Sequence, residues 1–386
     1  MLKEFQKVPL AKLNPSFQAM REQSPILFND QMHMWQVFRY EDIQKVLIDP
    51  GLFSSNQGSL AGELIASSLL SMDPPRHRQL HGLASQAFSP RRVQLMEERV
   101  VEITNRLLDE VVERGTMDLI EDFAFPLPTI VIAELLGVPA EDRDQFKLWS
   151  DAIVREIGQD PNLPRGSAQD EMVEYLRYQL KCKREQPGND LISALAAAEQ
   201  DGERLSDHDI VTTSALVLIG GHETTTNLIG NTFLCLMENP ESLKALYADR
   251  SLIPSAVEES LRYWSPLVCT FRVATRDTEI NGQAIKAGEY VQLFLPSANR
   301  DATVFPDADR FDIRRTPNRH MAFSYGIHYC LGAPLARLEG NVSLRVILER
   351  CANISFPEQL LEPLGGLIIQ GVRHLPINFT PTPRPS

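Results

Sequence analysis

Cys330 has the setting that most invites chemistry. It stands in AFSYGIHYCLGAPLARLEG (322–340), with His328 two residues before it and Gly332 two after. The run from Leu331 to Leu348 reads as a helix, with Pro334 tolerated in its first turn. Cys330 then falls at a helix N-terminus, where unpaired N–H groups and the dipole favour a thiolate. Gly326 and Gly332 carry no Cβ and let backbone approach something flat and bulky. Taken alone, the residue is open to three roles: a buried structural thiol, the usual fate of a free cysteine, a nucleophile, or a ligand.

Three other stretches carry polar groups in unusual places. LIGGHETTTN (218–227) puts Gly220, Gly221, Glu223 and Thr224 inside a long helical pattern. Two interior glycines cost about 1 kcal/mol each relative to alanine. A buried carboxylate is expensive unless paired or functional. A threonine hydroxyl that bonds back to a carbonyl can open a helix locally, so this stretch reads either as a kink with a satisfied polar cluster or as a functional groove. In AVEESLRYWSP (256–266), Glu259 and Arg262 share one helix face at i, i+3, where most such pairs are solvated. DPPRHRQLH (73–81) brings His77 and His81 to what reads, by itself, as a solvated helix start.

The elements that must position these groups are mostly helical. Residues 91–114 carry apolar side chains at helical spacing and stop before Gly115. Residues 206–238 form the longest candidate, opened by a Ser206/Asp209 capping box and closed by Asn239-Pro240. At 1.5 Å per residue it would run roughly 50 Å, which makes it a central, largely buried element. Strand patterns are fewer: 36–40, 270–277, 290–296 and 366–372, with an Asn281-Gly282 hairpin signal between the second and third. No repeat or Gly/Ser linker divides the chain, so one domain over 1–386 is expected, mainly α with a small β portion.

Composition narrows the class further. In 386 residues, 43% hydrophobic and 23% charged residues imply a sizeable core, and a net charge of −13 argues against nucleic acid or an anionic membrane as partner. No apolar run is long enough to span a bilayer, and the N-terminus has no signal-peptide core. Five scattered cysteines without a CxxC pair point to a reducing, cytoplasmic setting rather than a disulfide framework or a cysteine-rich zinc site.

The order of these stretches carries more than each alone. A glycine-acid-threonine segment in a long helix comes first, then ExxR, then Phe323-x-x-Gly326-x-x-x-Cys330-x-Gly332-x-x-x-Ala336. This resembles the cytochrome P-450 family, the haem-thiolate monooxygenases, from about residue 10 to 380, and in particular its soluble bacterial members. The resemblance implies that fold, with haem b buried between the long helix and the cysteine loop and Cys330 as axial thiolate ligand to its iron. Phe323 would pack beside the thiolate. Glu223 and Thr224 align with the acid–alcohol pair that delivers protons to dioxygen, while Gly220 and Gly221 would leave room for it. Glu259 and Arg262 take a structural role as a buried ion pair. His77, Arg272 and His328 match positions that hold haem propionates.

Two departures from the family pattern stand out. Ser324 occupies a position that is usually glycine, and His81 stands where many bacterial members carry arginine, which would make propionate pairing there weaker and pH-dependent. By resemblance the substrate would meet loop 55–71, Leu216, Ile219, Leu267, Val268, Thr270, Ile368 and Ile369. These mostly aliphatic residues suit an apolar terpenoid, polyketide, steroid or fatty acid, to be hydroxylated or epoxidised. Electrons are expected from a separate ferredoxin or flavodoxin with its NAD(P)H reductase. Arg76, Arg78, Arg91, Arg92 and Arg337 either form a basic docking patch or merely solvate their helices. Two alternatives are a peroxide-dependent peroxygenase, disfavoured by Glu223-Thr224, and a haem-thiolate ligand sensor.

Overall fold

Helices dominate the computed structural model, which describes residues 10–58, 62–88, 90–146, 148–149, 152, 167–200, 202–358, 361–364 and 368–384. Six of them frame the argument: α1 (Arg76–Ala87), α2 (Glu97–Asp109), α3 (Pro126–Leu136), α4 (Asp207–Glu238), α5 (Ile253–Tyr263) and α6 (Ala333–Arg350). α4 has the expected limits, runs unbroken for 32 residues, and packs against α3, α5 and α6. Its capping box is formed in both directions, Ser206 Oγ accepting from Asp209 N and the Asp209 carboxylate from Ser206 N, each at 3.1 Å. Among the described residues no helix is long and apolar enough to cross a membrane.

The single helix expected over 91–114 is instead a short helix Pro90–Leu95, a break at Met96, α2, and a 3-10 turn Val112–Arg114 ended by Gly115 at φ 68°. The two stretches do not share one apolar face: α2 buries Val100, Ile103, Leu107 and Leu108, while Leu95 is 77% exposed. In loop 55–71, residues 59–61 lie outside the described residues, and the remainder holds a short helix, Gly62–Ala66, and a 3-10 turn, Leu69–Ser71.

The β portion is small. It comprises β1 (Ile26–Asn29), β2 (Met34–Val37), β3 (Phe53–Ser54), β4 (Cys269–Ala274), the hairpin β5 (Thr278–Ile280) and β6 (Gln283–Ile285), and β7 (Tyr290–Phe294). The main sheet runs β1-β2-β7-β4-β3, with β2 and β7 parallel and every other pair antiparallel. Asn281 and Gly282 both take positive φ in the hairpin, 47° and 81°, as a tight two-residue turn demands. The pattern at 36–40 is strand only to Val37, since Tyr40 opens a helix. The strand expected at 366–372 is not formed among its described residues, which make only the bridges Leu267–Ile369 and Pro363–Val372; residues 366 and 367 lie outside the described set. A further three-stranded sheet joins Thr116–Asp118, Cys351–Ser355 and Pro376–Pro381.

The two ends of α4 belong to different cores. Ile210, Val211, Ala215 and Leu218 pack with α3 and the helix Ala168–Glu185, whereas Leu228 to Leu236 pack with α2, α5 and α6. The polar segment 219–227 lies between them.

ExxR is not solvated. Glu259 and Arg262 are both fully buried and meet in a bidentate pair, Nε and Nη2 each 2.8 Å from a carboxylate oxygen. Arg262 also donates to the carbonyls of Asn299, Ala308 and Arg310. The Glu259 carboxylate takes Asp312 N, Arg315 Nε and Asn318 Nδ2. One helical pair thus pins the irregular stretch 299–318 that leads into the cysteine loop. Breaking one side leaves a buried charge uncompensated, which typically costs about 3–5 kcal/mol. Arg262→Leu and Glu259→Gln are each expected to lower unfolding free energy on that scale and to yield protein that retains little haem. Denaturant unfolding together with haem absorbance checks both.

Candidate haem and substrate site

A cavity of about 640 Å³ opens between α4 and the cysteine loop. From α4 it takes Leu216, Ile219, Gly220, Gly221, Thr224 and Thr225; from the cysteine loop it takes Phe323, His328, Cys330 and Gly332. His77 and His81 of α1 and Thr270 and Arg272 of β4 complete the wall, with Leu267 and Ile368 beside them. Residues far apart in sequence thus converge on one space. Val268 and Ile369 do not line it. Val268 is buried in the core, its backbone bonded to Ile368 and Leu295, and Ile369 is held in the bridge to Leu267. Glu259 and Arg262 also stay off the wall.

Cys330 sits where the cysteine loop runs into α6, with Gly332 and Pro334 opening the helix. Its amide donates to the Phe323 carbonyl at 2.9 Å, which closes the loop beneath the sulfur. The side chain is exposed, and the surface it shows faces the cavity. Burial raises the thiol pKa, while N–H groups of Gly332 and Ala333 and the charge of Arg337 pull it down. Those N–H groups are the helix-end donors the sequence places there.

The adjacent glycines Gly220 and Gly221 of α4 divide their roles. A Cβ on Gly220 would meet nothing within 4 Å, so this position keeps space open on the cavity side. A Cβ on Gly221 would stand 2.5 Å from Ile132 Cδ1, so that glycine chiefly allows α3 to pack closely, contrary to the expectation that both make room for dioxygen. Thr224 Oγ1 bonds back to the Gly220 carbonyl, and Thr226 Oγ1 and Asn227 Nδ2 bond to the carbonyls of His222 and Glu223. These bonds leave the helix unbroken. Thr224 lines the cavity, whereas its neighbour Glu223 lies outside the wall in a setting whose burial raises its carboxyl to about 7.

At one edge His77, His81, His328 and Arg272 gather. The His77 ring lies 4.2 Å from that of His328 and 5.2 Å from that of His81. Burial pushes His77 down to about 4 and His328 to about 3, with further repulsion from one another and from Arg272. Arg272 is itself lowered to about 10 by burial. The buried Nε2 atoms of His77 and His81 have no hydrogen-bond partner, although both rings line the cavity. His328 is more occupied, its Nε2 meeting Ser55 Oγ at 2.8 Å.

Residues that the sequence reading left out also line the cavity: Thr213, Val217, Thr225, Phe88, Cys269 and Glu339. Thr213, Leu216, Val217, Gly220 and Thr224 follow one helical stripe, so extending the i, i+3, i+4 pattern from Thr224 would have found two of them. Glu339 gave no signal: it is buried in α6, and burial alone pushes its carboxyl well above the usual range.

Known proteins place the arrangement. The cytochrome P450 family model matches residues 165–363. The putative cytochrome P450 YjiB of Bacillus subtilis is 40% identical over 376 residues, covering 93% of this chain and 92% of that protein. Cyclomarin C epoxidase CymV of Salinispora arenicola is 40% identical over 378 residues, covering 93% and 94%. The crystal structure of CYP109E1 from Bacillus megaterium with testosterone superposes with a TM-score of 0.87 at 40% identity, over 95% of this chain and 99% of that one. The chain therefore belongs to the cytochrome P450 family, enzymes that carry haem with a cysteine thiolate as axial ligand. The residues present fit that cofactor. The Cys330 thiol faces the cavity with an unfilled helix position at Gly220 on its wall, and two buried imidazole nitrogens without partners stand beside an arginine at its edge.

Ser324 takes φ 62°, a left-handed conformation that glycine adopts freely and serine does not. The loop keeps its turn, with Ser324 N donating to the Met321 carbonyl at 2.9 Å, at a conformational cost. Gly326, at φ 71°, is more constrained still: a Cβ there would lie 2.5 Å from the Leu47 carbonyl oxygen. Ser324→Gly is expected to stabilise the protein by about 0.5–1 kcal/mol, and Gly326→Ala to destabilise it by more than about 2 kcal/mol. Thermal unfolding of the two variants reads both signs.

Proposed function

We propose that the chain is a single haem-thiolate monooxygenase domain that hydroxylates or epoxidises an apolar small molecule. The observation that carries this reading is the convergence of Cys330, Thr224 and the open Gly220 position on one largely aliphatic cavity. Bound haem supplies the oxidising chemistry, and a thiolate ligand pushes electron density onto its iron. Cys330 would hold the group through its sulfur, with the N–H donors of Gly332 and Ala333 opposing the rise in thiol pKa that burial causes. His77, His81 and Arg272 are the donors for its carboxylates, with His328 completing that edge around Ser55.

Glu223 and Thr224 handle protons. With a pKa near 7, Glu223 is still partly protonated at neutral pH, where a carboxyl at its usual value of 4.5 would have lost its proton. Thr224 carries its hydroxyl on the cavity wall one residue further along α4. The aliphatic side chains around them exclude bulk water, which would otherwise short-circuit proton delivery. This pair disfavours a peroxide-dependent reading, in which no proton need be delivered, and a ligand sensor, which would need none.

Leu216, Ile219, Leu267 and Ile368 give the substrate apolar walls, and Thr270 adds one hydroxyl. The relatives' ligands support that class: testosterone is bound in CYP109E1, and CymV is named for epoxidation of cyclomarin C. Electrons come from a separate ferredoxin or flavodoxin with its NAD(P)H reductase. The docking patch is smaller than the sequence suggested, because Arg76 pairs with Asp209 and Arg337 with Glu258. Arg78, Arg91 and Arg92 remain exposed. Charge reversal at Arg78 and Arg92 is expected to slow low-salt reduction by an acidic partner, and unchanged rates would remove the patch from the reading.

The reduced, carbon-monoxide-bound protein should show the strongly red-shifted Soret band of a thiolate-ligated haem, and Cys330→Ser should lose it. Thr224→Ala is expected to keep consuming reductant while releasing peroxide in place of product. Glu223→Gln should lower coupled turnover about 10²-fold. Because the Glu223 pKa is raised, its proton is present below about 7 and lost above it, so wild-type coupling should fall as pH rises through that value. Glu223→Gln should abolish that inflection. Wild-type and mutant coupling indistinguishable at every pH would reject the assignment.

A further inference from the structure

Behind the cysteine loop lies a second charged assembly that the monooxygenase reading does not use. Glu258, next to the buried Glu259 on α5, takes Arg337 Nε at 2.6 Å and Nη2 at 3.0 Å in a bidentate pair. The same carboxylate meets His320 Nε2 at 3.0 Å. His320 Nδ1 accepts from the Ala322 amide at 3.2 Å, so its proton sits on Nε2 and points at Glu258. Arg337 completes its fork with Nη1 donating to Tyr329 Oη at 2.9 Å. Its guanidinium carbon lies 4.5 Å from the centroid of the Phe323 ring, and the His320 ring stands 6.0 Å from that ring.

Three separate stretches therefore meet around one aromatic ring: α5 through Glu258, residues 320–323, and the cysteine loop with α6 through Tyr329 and Arg337. Phe323 in turn accepts the Cys330 amide proton and shares the cavity wall with that sulfur. With Nδ1 of His320 unprotonated, the formal charges of Glu258 and Arg337 cancel.

Stability does not account for this assembly. Both carboxylate and guanidinium are about 30% exposed, and pairs at such exposure contribute at most about 1 kcal/mol. Their charges matter more toward the cysteine loop, because Arg337 lies over the ring of Phe323, whose carbonyl takes the Cys330 amide, and attraction through packed protein is screened less than through water. Within the clamp, burial would raise the Glu258 carboxyl, but bonds from His320 and Arg337 hold it at about 2.

We propose that Glu258, His320 and Arg337 form a charge-compensated clamp on Phe323 that sets how readily the bound haem accepts its electron. Arg337 and Glu258 are positioning residues: neither lines the cavity, and both act through Phe323 and the Cys330 loop. The proposal rests on Cys330 being the thiolate ligand. The step is a one-electron reduction of the ferric haem by an external reductant, after which the haem–thiolate unit carries one more negative charge. A neighbouring cation favours the reduced form and a neighbouring anion opposes it. Glu258 moderates the pull of Arg337.

Spectroelectrochemical titration of the haem-loaded protein with dithionite tests the signs. Glu258→Gln leaves Arg337 uncompensated and should raise the potential. Arg337→Gln leaves Glu258 uncompensated and should lower it, and the double variant should return close to wild type. Arg337→Lys keeps the charge and should stay nearer wild type than Arg337→Gln. Should Arg337→Gln fail to retain haem, Glu258→Gln and Arg337→Lys still decide the matter, the first moving up and the second staying close. Shifts of the same sign in both single neutral variants, or no shift in Glu258→Gln, would overturn the proposal, because a merely structural clamp has no reason to separate the signs. The carbon-monoxide Soret band of the same samples separates the two readings: unmoved potentials beside a thiolate band sink the clamp alone, whereas a wild-type protein without that band sinks the thiolate assignment and the clamp with it.

Discussion

The buried pair Glu259–Arg262 is the constraint on which the site depends. Two opposite charges fully out of water are stable only if every remaining donor and acceptor finds a partner. Here those partners are backbone carbonyls of Asn299, Ala308 and Arg310 and the N–H groups of Asp312, Arg315 and Asn318. A stretch with little regular structure of its own thereby gains a fixed path. Asn299 extends the lock, its Oδ1 accepting from Met321 N at 2.7 Å just before the loop that carries Cys330. The position of the sulfur is in this sense set about 70 residues upstream in the chain, on α5.

The cavity arises from how the packing divides. Both ends of α4 are anchored in apolar cores, but each core stops short of its middle. Threonine, glycine and glutamate occupy that middle, where extra leucines would have closed the gap. The bonds of Thr224, Thr226 and Asn227 to carbonyls one turn back satisfy these side chains without breaking the helix. An unbroken helix is a rigid wall, and rigidity is what places the Thr224 hydroxyl and the open side of Gly220 at fixed positions over the cavity.

How much of this was legible in the sequence varied with the range of the interaction. The limits of α4 and the Asn281-Gly282 turn rest on contacts within a few residues and could be read directly. The Cys330 helix end was equally local, and the structure supplies the N–H donors it implies. The burial of Glu259 and Arg262 was not local: i, i+3 spacing is the same for a solvated pair, and only the order of motifs along the chain pointed inward. Val268 and Ile369 were misplaced for a related reason. Val268 bonds through its backbone to Ile368 and Leu295, and Ile369 pairs with Leu267, contacts between distant stretches that no sequence period could show. Arg76 and Arg337 looked like free surface charge because their partners, Asp209 and Glu258, lie far away in the chain.

The cluster at the cavity edge couples folding to the charge of whatever is bound there. His77, His328 and Arg272 are all displaced toward their uncharged forms, first by burial and then by mutual repulsion. A histidine whose pKa falls to about 4 on folding contributes stability that is complete above its unfolded value of 6.5 and is lost as pH drops through the interval between them. Without an anion, then, this edge works against the fold in mild acid. Carboxylates held there, as the proposed placement of the haem requires, reverse the sign. They would pair with Arg272, meet the open Nε2 atoms of His77 and His81, and draw the imidazoles back toward their protonated forms. His81 in place of arginine makes the reversal stronger with falling pH, because its charge appears only as protons are taken up. On that placement the cofactor would contribute directly to folded-state stability at this edge, in addition to supplying the chemistry.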